Sequence, residues 1–388
     1  LAGYFENQGK YFSLGYHHIL YRDKPLHSAL KQAGLWNRIS WKKVNTLFVI
    51  KNKMYNLVNP IDFLKMPMTF KDKLYFVRLM AYCVLRRNWN LNLGDAQSWL
   101  DKIANPEVRK IIFDPLMDIK YGLGAEYLSA SWIGSRLHYQ EFSKPLGYIP
   151  GTDWTKVLIE KMAEQFKKMG GEIITGASVK KINYENNKFR DVIYYKDYDE
   201  KNISGDILIN TAPPHIFLSL CKYQDKKMQN IKYLDSLSLI LETEQKLPKD
   251  FYMLACLSPR YSFGGIFALS SLNKTMGVKN GTMLNFFTNL SPENEHLRGK
   301  SADELLKIYI NDFKEIFGFE LKPLWHHLTL IKNYSPKFLN NYQNPEQRGN
   351  IRGIYFAGNY LTYPAITSTG SALASGKKAA DYIIENYK

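Results

Sequence analysis

The residues of this chain that could do chemistry stand near its end, where a predicted strand is followed by a helix rich in small residues. Residues 352–360 read Arg-Gly-Ile-Tyr-Phe-Ala-Gly-Asn-Tyr, and the β-branched and aromatic run before Gly358 predicts a buried strand. The helix opens at Gly370-Ser371, and small residues beginning with Ala372 recur on one face. Unpaired amides and the positive dipole end there suit an electron-rich oxygen, such as a ring carbonyl or a phosphate. The same residues also fit a strand and helix that only close an α/β core.

This segment resembles the C-terminal flavin motif of the FAD-dependent amine oxidase superfamily, which includes protoporphyrinogen oxidases, phytoene desaturases and monoamine oxidases. In that family the glycine at the strand end contacts the cofactor, and the helix N-terminus faces the pyrimidine side of the isoalloxazine. The resemblance implies cofactor contacts from Gly358 and from the amides around Gly370, Ser371 and Ala372. Asn359 stands where the family usually has an acidic residue, and its amide can still hydrogen-bond a ribityl or phosphate oxygen.

A segment near the front resembles the same family. Residues 9–18 read Gly-Lys-Tyr-Phe-Ser-Leu-Gly-Tyr-His-His, similar to the family segment in which a strand ends in a glycine beside the flavin ring. The resemblance implies that Gly15, Tyr16 and His17 lie close to the isoalloxazine.

The middle of the chain continues the resemblance in the same order. Residues 147–151, Gly-Tyr-Ile-Pro-Gly, precede a predicted helix. Residues 206–212 predict an apolar strand that ends before Pro213 and Pro214. In the family, a valine between such segments contacts the adenine, and the end of the apolar strand lies near the cofactor. These contacts correspond here to Val179, Thr211 and Ala212.

Three residues are candidates to line the substrate site. Residues 330–338 resemble the family segment in which a basic or polar residue and a following proline lie near the flavin. They supply Lys332 and Tyr334, and Tyr148 is the third candidate. An edge strand with a solvated lysine would give the same pattern.

The first unit expected of this family is absent from the sequence. Its fold begins with a strand, a GxGxxG turn and a helix whose N-terminus holds pyrophosphate. Residues 121–126, Tyr-Gly-Leu-Gly-Ala-Glu, lack the third glycine and a preceding strand, and predict an ordinary loop. We therefore expect an N-terminally truncated chain whose upstream residues encode that unit. We also expect that residues 1–388 alone bind FAD weakly or not at all. The alternative is a flavin-free relative.

The composition is that of a large enzyme with free thiols. The chain has 388 residues, 45% of them hydrophobic, which can bury sizeable cores. Cys83, Cys221 and Cys256 are an odd count without CxxC spacing, and indicate a reducing compartment. The adjacent pairs His17-His18 and His326-His327 would point to opposite faces of a strand, so we predict no metal site.

The net charge of +16 arises from 52 basic and 36 acidic residues. The basic residues are scattered without a nucleic-acid motif, so we predict no nucleic-acid partner. From Leu74 to Leu85 only Arg78 is charged, which predicts a helix that is either core or inserted in a membrane interface. The flanking basic residues are Lys71, Lys73, Arg86 and Arg87. No stretch is apolar enough to predict a membrane span.

The predicted fold class is α+β. An α/β FAD-binding Rossmann-like domain, incomplete at its N-terminus, is interleaved with a mixed sheet-plus-helices substrate domain that has a helical cap. We assign residues 1–20, 145–232 and 345–388 to the FAD-binding domain, and residues 21–144 and 233–344 to the substrate-binding domain. We predict strands over 1–20 and 237–287, a hairpin over 47–58 and a turn at 186–187. We predict helices over 25–33, 154–169 and 301–317, and a mostly helical region over 70–138 with helices that start near 95, 106 and 126.

These features predict an FAD-dependent oxidoreductase that removes hydride from a C–H bond of a hydrophobic substrate, as protoporphyrinogen oxidases and polyene desaturases do. Oxygen or a quinone would accept the electrons, and the protein would be cytoplasmic and peripheral at a membrane. The alternatives are a flavin-dependent sugar-nucleotide mutase, similar to UDP-galactopyranose mutase, and a non-catalytic lipid-binding relative.

Overall fold

The structure, a computed structural model, describes residues 3–139, 144–277 and 281–386. Its strands are β1 (Tyr4–Asn7), β2 (Lys10–Ser13), β3 (Ser40–Lys42), β4 (Thr46–Ile50), β5 (Lys53–Tyr55), β6 (Leu146–Tyr148), β7 (Ser178–Glu185), β8 (Lys188–Lys196), β9 (Asp199–Ser204), β10 (Leu208–Asn210), β11 (Tyr233–Thr243), β12 (Met253–Cys256), β13 (Gly265–Ala268), β14 (Thr282–Asn289), β15 (Trp325–Pro336) and β16 (Ile354–Phe356). Its helices are α1 (Lys24–Gln32), α2 (Pro60–Lys65), α3 (Phe70–Leu85), α4 (Ala96–Ile103), α5 (Pro106–Val108), α6 (Asp114–Tyr121), α7 (Ala130–Tyr139), α8 (Trp154–Lys168), α9 (Pro214–Leu220), α10 (Lys226–Gln229), α11 (Leu269–Leu272), α12 (Ala302–Phe317) and α13 (Thr369–Asn386).

A seven-stranded sheet forms the centre of the molecule, in the order β15-β11-β14-β13-β12-β4-β5. Only the β4–β12 pair is parallel among the described ladders of this sheet. β14 is buried along its whole length, as expected of a central strand covered on both faces. The predicted strand-rich block over 237–287 is therefore confirmed.

Helix α12 covers one face of this sheet. Its Ser301 hydroxyl accepts from the Glu304 amide while the Glu304 carboxylate accepts from the Ser301 amide, which is the predicted capping box. Tyr309 and Phe313 point from the helix into a fully buried core that includes Phe286 of β14. The helix ends at Phe317. Gly318 follows it with a φ of 78°, a left-handed conformation that glycine adopts without strain.

A helical region, α3 to α7, packs against the other end of the sheet. Leu79 and Cys83 of α3 lie in a core with Trp132 of α7 and with sheet residues such as Phe48. Core and membrane interface were the alternatives for the Leu74–Leu85 segment. One face of α3 is buried and the other carries exposed apolar side chains, so the core prediction is confirmed for one face and the membrane interface stays a prediction.

The cofactor-like segments form smaller units beside the main sheet. β10 and β16 pair in parallel, α1 packs on α13, and Leu26 of α1 shares a core with Trp154 of α8. Residues 24–32 thus contact elements that the predicted division places in the FAD-binding domain, and the division itself stays a prediction. β7, β8 and β9 form an outer sheet, and the predicted turn is confirmed by positive φ at Asn186 and Asn187.

Two local predictions are wrong. Residues 1–20 are not one strand, because positive φ at Gln8 and Gly9 turns β1 back on β2 and the backbone after Ser13 leaves the ladder. The helix expected to start near residue 126 begins at Ala130, after a bridge between Leu128 and Leu339 holds the chain extended. Within the described residues, none of the helices combines the length and the apolarity that crossing a membrane requires.

Candidate active site

A cavity of about 610 Å³ lies where the front segment, the helical region, the main sheet and the start of α13 meet. Gly15 and Tyr16 contribute one wall, and α6 and α7 another. Strands β13 to β15 add aromatic side chains, and residues 366–369 lead into α13. Since these segments are far apart in sequence, the cavity is a product of the tertiary fold. Its size is in the range of small-molecule sites.

An aromatic layer lines the sheet side of the cavity. The Tyr16 ring stacks on Phe267 with centroids 3.5 Å apart and meets Phe287 edge-on at 5.0 Å. The hydroxyls of Tyr16 and Tyr334 are 3.3 Å apart. Burial raises the pKa of Tyr334 well above its usual value, so its hydroxyl stays protonated. The stacked Tyr16–Phe267 pair is flat, and the layer as a whole is mainly apolar with hydroxyl groups that can donate hydrogen bonds.

His17 and His18 both line this cavity. The expectation that they point to opposite faces is wrong here, because they lie outside any strand. His18 Nδ1 is 3.0 Å from the Tyr252 hydroxyl. Burial, with a smaller effect from His17, lowers the pKa of His18 to about 4, so its ring is neutral at physiological pH. In the described residues no group of three or more His, Cys, Asp or Glu side chains could hold a metal.

The N-terminus of α13 is occupied by groups of the chain itself. The Asp23 carboxylate accepts from the Leu26 amide and from the Ser368 hydroxyl, and it reaches the Gly370 amide. The Ser371 amide donates to the Ser368 hydroxyl at 3.0 Å. The amides of Gly370 and Ser371, predicted to face the cofactor, therefore already have acceptors. The reason is that Asp23 caps α1 and α13 together where these helices cross.

The end of β16 carries the other predicted cofactor residues. The amide of Ala357 donates to the Asn210 carbonyl at 3.0 Å, which brings the Thr211-Ala212 segment beside Gly358. Asn359 lines the cavity, and its Oδ1 accepts from the Ser371 hydroxyl at 3.0 Å. Ala372 also lines the cavity.

These surroundings suit a flat, polar-edged ring. A side chain at Gly15 would come within 3.2 Å of Ile331, so only a glycine leaves that space open. Asn359 offers an amide, and Ala372 is small enough for close approach. Gly15 to His17, Asn359 and Ala372 are therefore the residues that could hold a flavin in this cavity.

Two cations line the helical side. Lys120 ends α6, and Arg136 lies on α7 with its guanidinium 5.7 Å from the Tyr121 ring and 5.6 Å from the Trp132 ring. Burial, together with the charge of Arg136, lowers the pKa of Lys120 to about 7. Within the described part of the chain, neither side chain forms an ion pair with a carboxylate.

Eight predicted site residues lie outside the cavity lining, and five of them are Thr211, Ala212, Gly358, Gly370 and Ser371. The other three are Lys332, Val179 and Tyr148. Lys332 is exposed, because its neighbour Ile331 takes the inward position on β15. Val179 lies on β7 of the outer sheet and is 42% exposed. Tyr148 is half-buried and packs against the aromatic cluster that contains Phe287, without lining the cavity. Of the candidate substrate residues, Tyr334 alone is brought to the cavity.

Sequence reasoning missed Asp23, Lys120, Arg136 and Tyr121. Asp23 stands two residues before Pro25, a typical helix-capping position that could have been noticed. Tyr121 begins the stretch that was predicted to be a loop, whereas in the structure it is the last residue of α6, before Gly122 in the left-handed conformation. Lys120 precedes that stretch. No local pattern marks Arg136 as a cavity residue.

Comparisons with known proteins agree on one family. The family described as flavin containing amine oxidoreductase matches residues 2–384. A 15-cis-phytoene desaturase of Arabidopsis thaliana is 20% identical over 100% of this chain and 74% of its own length. Among solved structures, a protein from Exiguobacterium sp. 255-15, provisionally assigned as a protoporphyrinogen oxidase, superposes with a TM-score of 0.78 at 14% identity, over 99% of this chain and 90% of that one. A reduced UDP-galactopyranose mutase superposes with a TM-score of 0.75 at 13% identity, over 99% and 87%.

Proposed function

Because this chain belongs to the family of flavin-containing amine oxidoreductases, we propose that it is an FAD-dependent oxidoreductase. The proposed reaction takes hydride from a C–H bond of a largely hydrophobic substrate. The observation that carries the proposal is the cavity itself. It joins the cofactor-like segments, Gly15 to His17 and Asn359, to an apolar helical wall within one space of about 610 Å³.

FAD bound along Gly15 to His17, Asn359 and Ala372 would supply the hydride acceptor. The residues of the chain orient the substrate and exclude water. Tyr16, stacked on Phe267, offers a flat contact surface that does not rotate freely. The apolar side chains of α6 and α7 remove water from the reacting C–H bond. His18 is neutral and adds no charge near that bond.

The test is flavin retention followed by anaerobic reduction. The product of the complete gene is purified and its flavin absorbance measured against protein concentration. Candidate polyenes, porphyrinogens and amines are then added without oxygen, and bleaching of the flavin identifies the substrate class. Protein that neither retains nor binds added FAD would refute the proposal and leave the non-catalytic lipid-binding alternative.

A flavin-dependent sugar-nucleotide mutase remains the second candidate. It is supported by the fold similarity to a UDP-galactopyranose mutase and by the two cations, Lys120 and Arg136, which could bind a diphosphate. UDP-sugars that bind without bleaching the flavin would favour this candidate over the oxidoreductase.

The proposal includes a membrane surface as the source of the substrate. Along α3 an apolar stripe is open to solvent, with exposed fractions of 70% at Phe70, 56% at Leu74, 52% at Val77 and 59% at Val84. Residues three or four apart lie on one side of a helix, so these side chains form a single ridge. α2 extends it, since Ile61 is 62% exposed and the Lys73 ammonium donates to the Leu64 carbonyl of that helix. Such a ridge with basic flanks suits an anionic bilayer interface.

A further inference from the structure

Lys120 and Arg136 have an unusual position for two cations. Both line the cavity, one at the end of α6 and one on α7, and the charge of Arg136 opposes that of Lys120. Bringing two like charges to an apolar wall costs free energy unless an anion compensates them. Within the described residues no carboxylate pairs with either of them.

Arg136 is held in place by its neighbours. Its guanidinium lies over the rings of Tyr121 and Trp132 and donates a hydrogen bond to the Tyr121 hydroxyl. A guanidinium has five N–H donors in a fixed plane, so a contact with one hydroxyl leaves most of them available. A cation fixed by aromatic faces and left with free donors is pre-organised to bind an oxyanion.

Two described carboxylates near the cavity, Asp23 and Glu293, already have hydrogen-bond donors. Asp23, which also lines the cavity, accepts from the Leu26 amide and the Ser368 hydroxyl. Glu293 accepts from the Ser291 hydroxyl. Asp118 is exposed on α6, and its pKa is raised by partial burial and by neighbouring acids, not lowered by a cation.

Much of the remaining cavity lining is apolar, although Asn289, whose side-chain amide donates to the Lys120 carbonyl, and Lys144 also line the cavity. The apolar lining includes Phe113, Leu116, Ile133, Leu137, Phe267 and Phe287. A ligand that fills this space must bury a hydrophobic body and present an oxyanion at one place. A purely hydrocarbon substrate would leave both cations without a partner.

We infer that this cavity takes a substrate in which an apolar body carries a carboxylate or phosphate group, and that Lys120 and Arg136 bind that group. The inference rests on the proposed function for the identity of the site, and it names the substrate class. Arg136 and Tyr121 also lie close enough to Tyr334 to affect its pKa electrostatically, and the Tyr334 hydroxyl is 3.3 Å from that of Tyr16. The anion would thereby anchor one part of the substrate while its apolar body extends toward the Tyr16 side.

Binding of a matched pair of fluorescent probes tests the inference without using turnover. The probes are 1-pyrenebutyrate and its methyl ester, which differ in the charge and not in the apolar body. Each is titrated into the complete protein and into Lys120→Gln, Arg136→Gln and the control Lys307→Gln, an exposed lysine on α12. 3-Phenylpropyl phosphate and UDP are added as competitors.

We expect the wild type to bind the acid more tightly than the ester. Lys120→Gln and Arg136→Gln should each weaken binding of the acid about 10- to 100-fold, the usual effect of losing a hydrogen bond to a charged group. Ester binding should stay within about twofold, which also shows that the variants are folded. The control should bind both probes as the wild type does, and phenylpropyl phosphate should compete if phosphate is accepted.

Equal affinity for acid and ester, or equal loss of both in the two variants, would overturn the inference. Displacement by UDP alone would overturn it in favour of a nucleotide site. Flavin content is measured separately in every variant. Absence of flavin with charge-selective probe binding intact would count against the FAD proposal only.

Discussion

Lys120 places an ammonium group at an apolar wall, and the folded protein pays for this in stability. Burial and the charge of Arg136 lower the pKa of Lys120 to about 7, from the 10.5 usual for a lysine. Between these pH values the unfolded chain binds more protons than the folded chain, so stability should rise with pH across that window. Lys120 therefore opposes folding below pH 7 and ceases to do so at alkaline pH.

We expect Lys120→Met to be more stable than the wild type at neutral pH. The difference should shrink as pH rises from about 7 to about 10, with a slope on the order of 1 kcal/mol per pH unit. Urea denaturation at several pH values measures it. Lys307→Met, at an exposed position, should follow the wild-type curve. Parallel curves for Lys120→Met and wild type would show that the Lys120 ammonium is not buried.

The Asp23 carboxylate lies against the backbone of Gly370 at the start of α13. A Cβ added at Gly370 would lie 1.7 Å from the Asp23 carboxylate. Gly370→Ala should therefore lower the free energy of unfolding by about 1–3 kcal/mol, as overpacking does. Asp23→Ala should cost about 1 kcal/mol through the lost cap.

The double variant should cost less than the sum of the two single variants, because removing Asp23 removes the clash. Gly376→Ala, on the same helix with open space around it, should instead gain about 0.5–1 kcal/mol. Urea denaturation of the wild type, the two single variants and the double variant measures how far the two effects depart from additivity. Strict additivity would mean that Asp23 does not lie against α13.

At the scale of elements, α3 has one buried face and one exposed apolar face. Phe76 and Leu79 hold it in the core of the helical region, while Leu74, Val77 and Val84 face solvent. Thr69 and Asp72 form a capping box at its start, and Asp72 also accepts from Asn105. Substitutions on the exposed face should consequently change the hydrophobicity of the surface without unfolding the helix.

We expect the complete protein to cosediment with anionic vesicles at low salt. Leu74→Ser combined with Val77→Ser should reduce the bound fraction several-fold, because apolar burial supplies affinity. Lys71→Gln combined with Arg87→Gln should remove the salt-sensitive part, on the order of 1 kcal/mol per basic residue. Ile384→Ser, at an exposed apolar residue on α13, is the control. Unchanged binding in both double variants would reject α3 as the membrane contact.

At the scale of the whole molecule, the helical region and the main sheet share a core. Cys83 lies among helices with Phe48, Ile50 and Ala255 of the sheet, and Cys256 is buried in the core beneath α12. The prediction that all three cysteines are free thiols is confirmed. Burial raises the pKa of the Cys83 thiol to about 12 and also raises that of Cys256, which makes both poor nucleophiles in the folded state.

A thiol reagent should therefore modify the half-buried Cys221 first in the native protein. Cys83 and Cys256 should become reactive together, at one denaturant concentration, because the shared core makes the two regions one cooperative unit. Mass spectrometry of labelled peptides across a urea series measures each site. Labelling of Cys83 well before Cys256 would show that the helical region unfolds separately.

Several features follow from the sequence alone because their causes are local. The capping box at Ser301 and the turn at Asn186-Asn187 each depend on two to four adjacent residues. The strand ending before Gly358 and the helix beginning at Gly370 were predicted from composition over similar lengths. The flavin family was identified from the resemblance of several segments, in their order along the chain, to the motifs of that family.

The tertiary structure alone decided what surrounds the site. Asp23 contacts the start of α13 across a separation of more than 300 residues, and no local sequence pattern near Gly370 predicts this contact. Lys120 and Arg136 meet only because α6 and α7 face the same cavity. Lys332 is excluded by the one-residue alternation of β15, which gives the inward position to Ile331. Local patterns determine the elements, whereas the partners of a buried charge depend on contacts between segments that are distant in sequence.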